Sequence, residues 1–529
     1  MRTNLNLANP SLVVVSNRGP VEHHFGRGNE IETKRASGGL VTALTAFRRR
    51  HEFTWIAGAV TPGDRYVAGF PKAACSKYPP LRRQSVGLVT DTATTSGQGA
   101  DLVVVPQDVF HNYYDIFCNR FLWFLQHSIW DQLQAPKGKD TITEAWRRGY
   151  VPTNLAFAEA VAARVGRQRA PVIMLQDFHL YLAPGLIRQQ VPEAILQQFV
   201  HIPWPGPEGW RHLPLSVCGE IYRSSLANDV IGFQTSRSAH NFLRCCEAFL
   251  PDAEVDYVGK AVSFRNRILH VRVYPISVDV GQLRDAMNSS SVWRYQDRLR
   301  PIRGEQTVVR VDRLCPAKNI ARGFRAFQQL LDTHKELQGN VRFLAFLVPS
   351  RTAIKEYAAY RDEVMSLVQA INAKFGRDGF RPIDVFYEND YHQALAGMSL
   401  SDVLLVNPVA DGMNLVAKEG PIVSTRDSVL VLSKAAGAFD QLCEGVLSVE
   451  PDDIDGTAGA LATALAMSRE ERRERVRVLR ARIEKEDLAY WIRSQLKDIG
   501  EIYDERKKGQ QLRHVSNGQL SSARGSTHA

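Results

Sequence analysis

The feature that most constrains this chain is a pattern: short apolar, β-branched runs alternate with helical stretches over nearly its whole length. Runs at 12–15, 102–105, 172–175, 308–311, 343–348, 403–406 and 429–432 are continuous and bounded by turn signals. Such strands are apolar on both faces, as in parallel sheets covered by helices. Between two of them, 360–375 places Val364, Leu367, Val368, Ile371 and Phe375 on one helical face, with Gly376 as its C-cap. This alternation predicts an α/β, doubly wound architecture. The 529 residues exceed what one core of about 100–200 residues holds, so two Rossmann-like sheets are expected.

The first series closes on a strand at 271–273, followed by Pro275 and a polar stretch at 289–300. The second opens at Thr307. The hinge is placed near Ser277–Gly281, giving an N-terminal domain over 1–278 and a C-terminal domain over 279–482. A helix over 483–505 carries Leu488, Tyr490, Trp491 and Ile492. It needs a surface to cover and is expected to cross back onto the first domain. The tail 506–529 holds five basic and no acidic residues, which is half of the net charge of +10. Its Gly, Ser, Gln and Asn, without interleaved aromatics, read as a disordered basic tail rather than a nucleic-acid surface.

No stretch reaches the roughly 20 apolar residues of a membrane span. The opening MRTNLNLANPSL has no apolar signal core, and the seven cysteines show no C-x-x-C spacing. A cytoplasmic protein with reduced thiols and no membrane partner is expected.

Ligands of doubly wound sheets bind beyond the carboxyl ends of strands, where glycine loops and helix N-termini meet phosphate. Four segments occupy such positions. In LVVVSNRGP, Arg18 follows a strand and can clamp a phosphate, and Gly38-Gly39 downstream can admit a diphosphate to backbone amides. Asp177 in LQDFH and His201 in FVHIPWP can contact sugar hydroxyls. Zinc is conceivable there, but no H-x-x-x-H pair or cysteine cluster supports it. VDRLCPAKN sets Arg313 and Lys318 in the loop after a strand, where paired cations can neutralise a diphosphate leaving group. In VADGMNLVAKEG, Asp411-Gly412 forms a turn, a helix begins near Met413, and Glu419 can accept from ribose hydroxyls. Each segment alone is also compatible with a solvated turn or a helix cap.

Together, in this order, the four resemble trehalose-6-phosphate synthases and their relatives, a retaining family with the GT-B fold. HNYYDIFCNRFLWFLQH, LAPGLIR, DVIGFQTSRSAHNFL, VYPISVD and VLVLSKAAGAFDQL extend the likeness over about 12–496. The resemblance implies that Arg18, Tyr114, Trp123 and Arg351 hold a phosphorylated acceptor, with Trp55 lining the same pocket. Arg313, Lys318, His201 and Asp411 would form the catalytic set. Gly38, Gly39, Asp177, Met413, Asn414, Leu415 and Glu419 would bind the donor. It further implies a nucleoside-diphosphate sugar, UDP-glucose among them, and glucose 6-phosphate as substrates. No cofactor or metal is implied, and a homo-oligomer is open.

The chain departs from the family pattern at Gln176 before Asp177, Ala410 before Asp411, Cys315-Pro316 and Asn319 around Lys318, and Trp204 in HIPWP. Some of these changes resemble those of the pseudoglycosyltransferase that makes validoxylamine phosphate. They leave open another acceptor, such as glycerol 3-phosphate or a cyclitol phosphate. A non-catalytic regulatory subunit and a hydrolysing epimerase are the readings from other classes. Asp453-Ile454-Asp455-Gly456-Thr457 matches the D-x-D-x-T of haloacid-dehalogenase phosphatases. With Pro451-Asp452 before it, it reads instead as a loop and N-cap leading into a helix over 458–467.

Overall fold

The computed structural model describes residues 12–26, 30–36, 38–69, 87–90, 99–134, 137–168, 170–377 and 379–524, with 87–90 and 509–524 as backbone only. The first series forms strands β1 (Leu12–Ser16), β2 (Val21–Phe25), β3 (Ile31–Arg35), β4 (Thr54–Gly58), β5 (Gly87–Thr90), β6 (Asp101–Val104), β7 (Val172–Gln176), β8 (Ile195–Val200), β9 (Val230–Phe233), β10 (Glu254–Asp256), β11 (Ala261–Phe264) and β12 (Arg267–Val273). Ten of them make one sheet in the order β10-β11-β12-β9-β8-β7-β1-β4-β6-β5, while β2 and β3 pair separately as a hairpin. Strands β12 through β6 run parallel, and antiparallel strands close both edges.

The second series forms β13 (Gln306–Arg313), β14 (Val341–Val348), β15 (Ile383–Phe386), β16 (Val403–Val406), β17 (Val429–Ser433) and β18 (Leu447–Val449). These form a six-stranded, wholly parallel sheet, β15-β14-β13-β16-β17-β18. In both sheets the order reverses direction near the centre, at β7/β1 and at β13/β16. That is where a doubly wound sheet opens its crevice.

Helices cover the faces: α1 (Gly39–Arg48), α2 (Val280–Met287), α3 (Ile320–Thr333), α4 (Lys355–Phe375), α5 (Val416–Val423), α6 (Ile454–Ala466), α7 (Arg469–Lys485) and α8 (Leu488–Arg524). Asp453 caps α6 by accepting the Gly456 amide, so the D-x-D-x-T segment is a helix start. Helix α4 begins five residues before the sequence expectation, with Gly376 at its cap.

Three apolar clusters result. One fills a face of the first sheet, one a face of the second, and the third runs across both and includes the start of α8. Trp491 of α8 meets Phe199 edge to face at 5.3 Å, and Gln495 bonds Gln197 of β8 at 2.9 Å. Tyr274 donates to Asp498 at 2.5 Å, and Arg506 pairs with Asp229 just before β9. Helix α8 therefore lies on the first sheet although it follows the second.

One expectation is corrected. The segment 506–524 is helical backbone continuous with α8, not a tail without structure. Extending an anchored helix avoids the cost of nucleation, and the Lys, Gln, Arg and Leu here are good helix formers. Residues 525–529 lie outside the described chain. Among the described residues no helix is long and apolar enough to cross a membrane.

Candidate active site

Loops at the ends of the central strands line the cleft between the two sheets. At the end of β1, Ser16 Oγ donates to the Arg18 carbonyl at 2.6 Å and folds the loop back. The Arg18 guanidinium then donates to Glu22 at 3.0 Å and to the Tyr114 hydroxyl at 3.2 Å. Tyr114 lies on the helical run His111–Leu122, stacked between Phe110 and His179. Burial would push its phenol up, but Arg18 and Arg351 nearby outweigh that and hold it below its ordinary value.

The same run continues into Trp123, a buried ring on which two arginines of the other sheet converge. The guanidinium of Arg351 lies 4.0 Å from the ring centroid and that of Arg313 lies 5.2 Å away. Cation–π contact of this kind fixes a cation without neutralising it. Arg313 ends β13, and Arg351, left-handed at φ 46° beyond β14, donates to Tyr357 at 2.6 Å.

Lys318 ends the tight turn Pro316–Lys318 after β13. It forms an ion pair with Asp411, which also accepts from Asn414 Nδ2 at 3.0 Å. Burial opposes both charges. Asp411 and Asp312 nonetheless hold the Lys318 ammonium above its usual value, and Lys318 keeps the Asp411 carboxyl below its own. Both are therefore ionised at neutral pH. Asp177, in the left-handed region at φ 74° just past β7, accepts the backbone N–H of His201 at 3.1 Å. Burial nevertheless pushes its carboxyl up to about 6. Backbone strain of this kind in a non-glycine residue persists where surrounding contacts impose it. The imidazole of His201, pushed down to about 3 by burial, is neutral.

The two sides touch. A Cβ on Gly412 would overlap the His201 carbonyl, and one on Gly39 would lie 2.5 Å from Leu415 Cδ1. Glycine is required at the first. Gly38, at φ 121°, turns the chain into α1. Across the rim, Arg120 bonds Glu356 at 2.9 Å. The carboxyl of Glu419 in α5 is pushed up to about 7 by burial.

Arg18, Tyr114, Trp123, Arg313 and Arg351 are thus brought together, as are Lys318, Asp411 and Asn414, and His201 with Asp177 and Gly412. Trp55 is not in the cleft: it is 1% exposed within the core and donates to Ser16 Oγ at 2.8 Å. Its strand alternation points it into the sheet's packed face. Helix α5 starts at Val416 rather than near Met413, because Asn414 adopts a left-handed φ of 74°. Met413 is buried, and its carbonyl accepts the Ala438 amide at 2.8 Å. Sequence reasoning missed His127, whose ring stacks on Trp123 at 3.9 Å. The i, i+4 spacing on one helix was the available signal.

The sequence profile of glycosyltransferase family 20 matches residues 10–501. The chain belongs to glycosyltransferase family 20. A relative from Mycolicibacterium gilvum, a trehalose-6-phosphate synthase, is 31% identical over 502 residues, covering 92% of this chain and 93% of its own. A bifunctional trehalose-6-phosphate synthase/phosphatase from Thermoproteus tenax is 32% identical over 91% of this chain, which spans 62% of that relative's length. Among solved structures, an alpha,alpha-trehalose-phosphate synthase (UDP-forming) from Burkholderia xenovorans in complex with glucose-6-phosphate superposes with a TM-score of 0.77. It is 25% identical and covers 92% of this chain and 99% of that one. The two facing sheets are the GT-B fold.

Proposed function

We propose that this chain transfers a glucosyl unit from a nucleoside-diphosphate glucose, such as UDP-glucose, to glucose 6-phosphate with retention of configuration, forming trehalose 6-phosphate. The observation that carries this reading is Trp123, which gathers Arg351 and Arg313 within 4.0 and 5.2 Å of one ring. Two separate cations held this close suit two phosphate groups brought face to face. Arg351, with Arg18 and Tyr114, takes the acceptor phosphate. Arg313 and Lys318 take the donor diphosphate. The chain divides near 278, and Gly38, Gly39, Met413, Asn414, Leu415 and Glu419 frame the donor from both sides.

In the reaction the bond from the anomeric carbon to the diphosphate oxygen breaks, and its electron pair leaves with the diphosphate. The acceptor hydroxyl oxygen bonds to the same face of that carbon, and its proton passes to a departing phosphate oxygen. Arg313 and Lys318 stabilise the charge that develops on that oxygen, from fixed positions that cost no reorganisation. Asp411 keeps Lys318 ionised and placed, while Asp177 and His201 shape the sugar pocket. Contact between the sides at Gly412 and Gly39 excludes water that would otherwise hydrolyse the donor. No metal is needed, because the two cations supply the charge. The site is cytoplasmic in this reading.

A matrix of UDP-, GDP- and ADP-glucose against glucose 6-phosphate, glycerol 3-phosphate and a cyclitol phosphate, read by mass spectrometry, tests it. A disaccharide phosphate from glucose 6-phosphate is expected. Product only from another phosphate reassigns the acceptor, and no product from any pair identifies a non-catalytic member.

A further inference from the structure

Strand β8 lies between β7 and β9, and His201, the residue after β8, is bracketed by a glutamine from each neighbour. Gln176 ends β7 and Gln234 follows β9, and both are buried. The hydrogen bonds around the ring can be oriented from one fixed donor. The backbone N–H of Ile276 donates to Gln234 Oε1 at 2.8 Å. That leaves the Gln234 amide nitrogen facing His201 Nδ1 at 3.5 Å, so Nδ1 accepts. A neutral ring then carries its hydrogen on Nε2, which lies 3.0 Å from Gln176 Oε1. In this orientation the Gln176 amide nitrogen has no partner.

We infer that Gln176 and Gln234 are positioning residues that hold His201 as its Nε2–H tautomer and tie it to the peptide of Ile276 between the two sheets. Ile276 is gripped on its carbonyl side as well. Its carbonyl accepts from Lys418 Nζ at 2.7 Å, and Lys418 stands next to Glu419 in α5. Ile276 thus joins His201 to the donor helix, and the His201 carbonyl in turn abuts Gly412.

The other groups packed on the imidazole are the rings of Phe199 at 4.6 Å and Trp491 at 6.2 Å. The nearby carboxylate, Asp177, takes the His201 backbone N–H rather than the ring. Two neutral amides thus keep the ring uncharged while fixing its direction, and burial adds to that by pushing its pKa down. The inference rests on the proposed donor site only for its kinetic consequence.

Nitrogen NMR of the full chain carrying ¹⁵N-histidine, with His201 assigned through His201→Asn, reads the tautomer without any substrate. A protonated Nε2 and an unprotonated Nδ1, unchanged between about pH 5 and 8, where an unperturbed imidazole titrates, is expected. A hydrogen on Nδ1, or a ring that titrates in that range, overturns the inference. Transfer kinetics give an independent arm. Gln176→Leu removes the acceptor and is expected to lower kcat roughly tenfold, one hydrogen bond's worth, with KM for both substrates nearly unchanged. Gln176→Glu keeps an acceptor for Nε2–H and is expected to recover part of that loss. Full kcat in Gln176→Leu overturns the positioning role. Absence of transfer in the unaltered chain would instead count against the proposed function and leave the NMR result to stand.

Discussion

Two ion pairs sit beside the cleft, and their surroundings differ. Lys318–Asp411 belongs to the second sheet, with side chains 12% and 16% exposed. Arg120–Glu356 joins the two sides, with side chains 6% and 2% exposed. Glu356 also accepts the Gln134 amide at 3.2 Å, and Phe124 packs edge-on to Tyr357 beside it. A pair open to the cleft has spare donors that an arriving anion can share. A sealed pair is out of reach of such an anion, and it acts as a bolt: replacing both partners is cheap, but removing one leaves a bare buried charge.

The largest expected effect comes from the sealed pair. Arg120→Ala should cost about 3–5 kcal/mol, read as a drop in the urea midpoint, and Arg120→Met with Glu356→Leu should recover most of it. A loss no greater than that of breaking the exposed pair Lys374–Asp332 would show that the seam is not a bolt.

Next, Lys318→Ala should reduce transfer to every acceptor by roughly 10²–10³, the effect of one charge-assisted contact at a leaving group. Its midpoint should move less than that of Arg120→Ala, since Asp411 keeps Asn414. Equal stability losses in the two variants would erase the distinction. Arg351→Ala should raise the acceptor concentration required by about 10–100-fold, as expected for one bond to a charged group, while slow donor hydrolysis persists. If hydrolysis disappears along with transfer, the two phosphate pockets have been exchanged.

A smaller effect belongs to Glu419. Its folded pKa of about 7 lies above that of the unfolded chain. The folded state therefore binds more protons in between, and stability falls as pH rises through that window. Donor binding runs the other way, because ribose hydroxyls donate best to the ionised carboxylate. Donor KM should rise as pH falls below about 7, and Glu419→Gln should flatten that dependence. A slope unchanged in Glu419→Gln would move the ribose elsewhere. Last, excess chelator should leave the rate unaltered, and loss with rescue by magnesium would reassign the charge that Arg313 and Lys318 supply.

The strands were legible because burial on both faces writes itself as unbroken apolar runs: Val403–Val406 is the same four residues in sequence and in sheet. Lys318 and Asp411 were legible as loop residues after such runs, whereas Arg313, expected in the loop, is the last residue of β13. Where α5 begins was not, since a left-handed Asn414 is one of several conformations its sequence permits. Trp55 was misplaced because an aromatic near a motif looks the same whether it faces a ligand or a core. The Arg120–Glu356 bond spans 236 positions, and no local pattern encodes it. The two glutamines around His201 come from separate strands, so only the sheet order makes them neighbours.

Helix α8 sets when the fold of the first half can be completed. Trp491 fills the space beside Phe199 and His201 in the first sheet, yet it leaves the ribosome after every strand of the second. Synthesis at about 5–20 residues per second separates β8 from its cover by nearly 300 residues, the span of the Gln197–Gln495 bond. A nascent first half therefore waits tens of seconds with an apolar slot open, within reach of chaperones and of other chains. The last helix to emerge closes both halves at once.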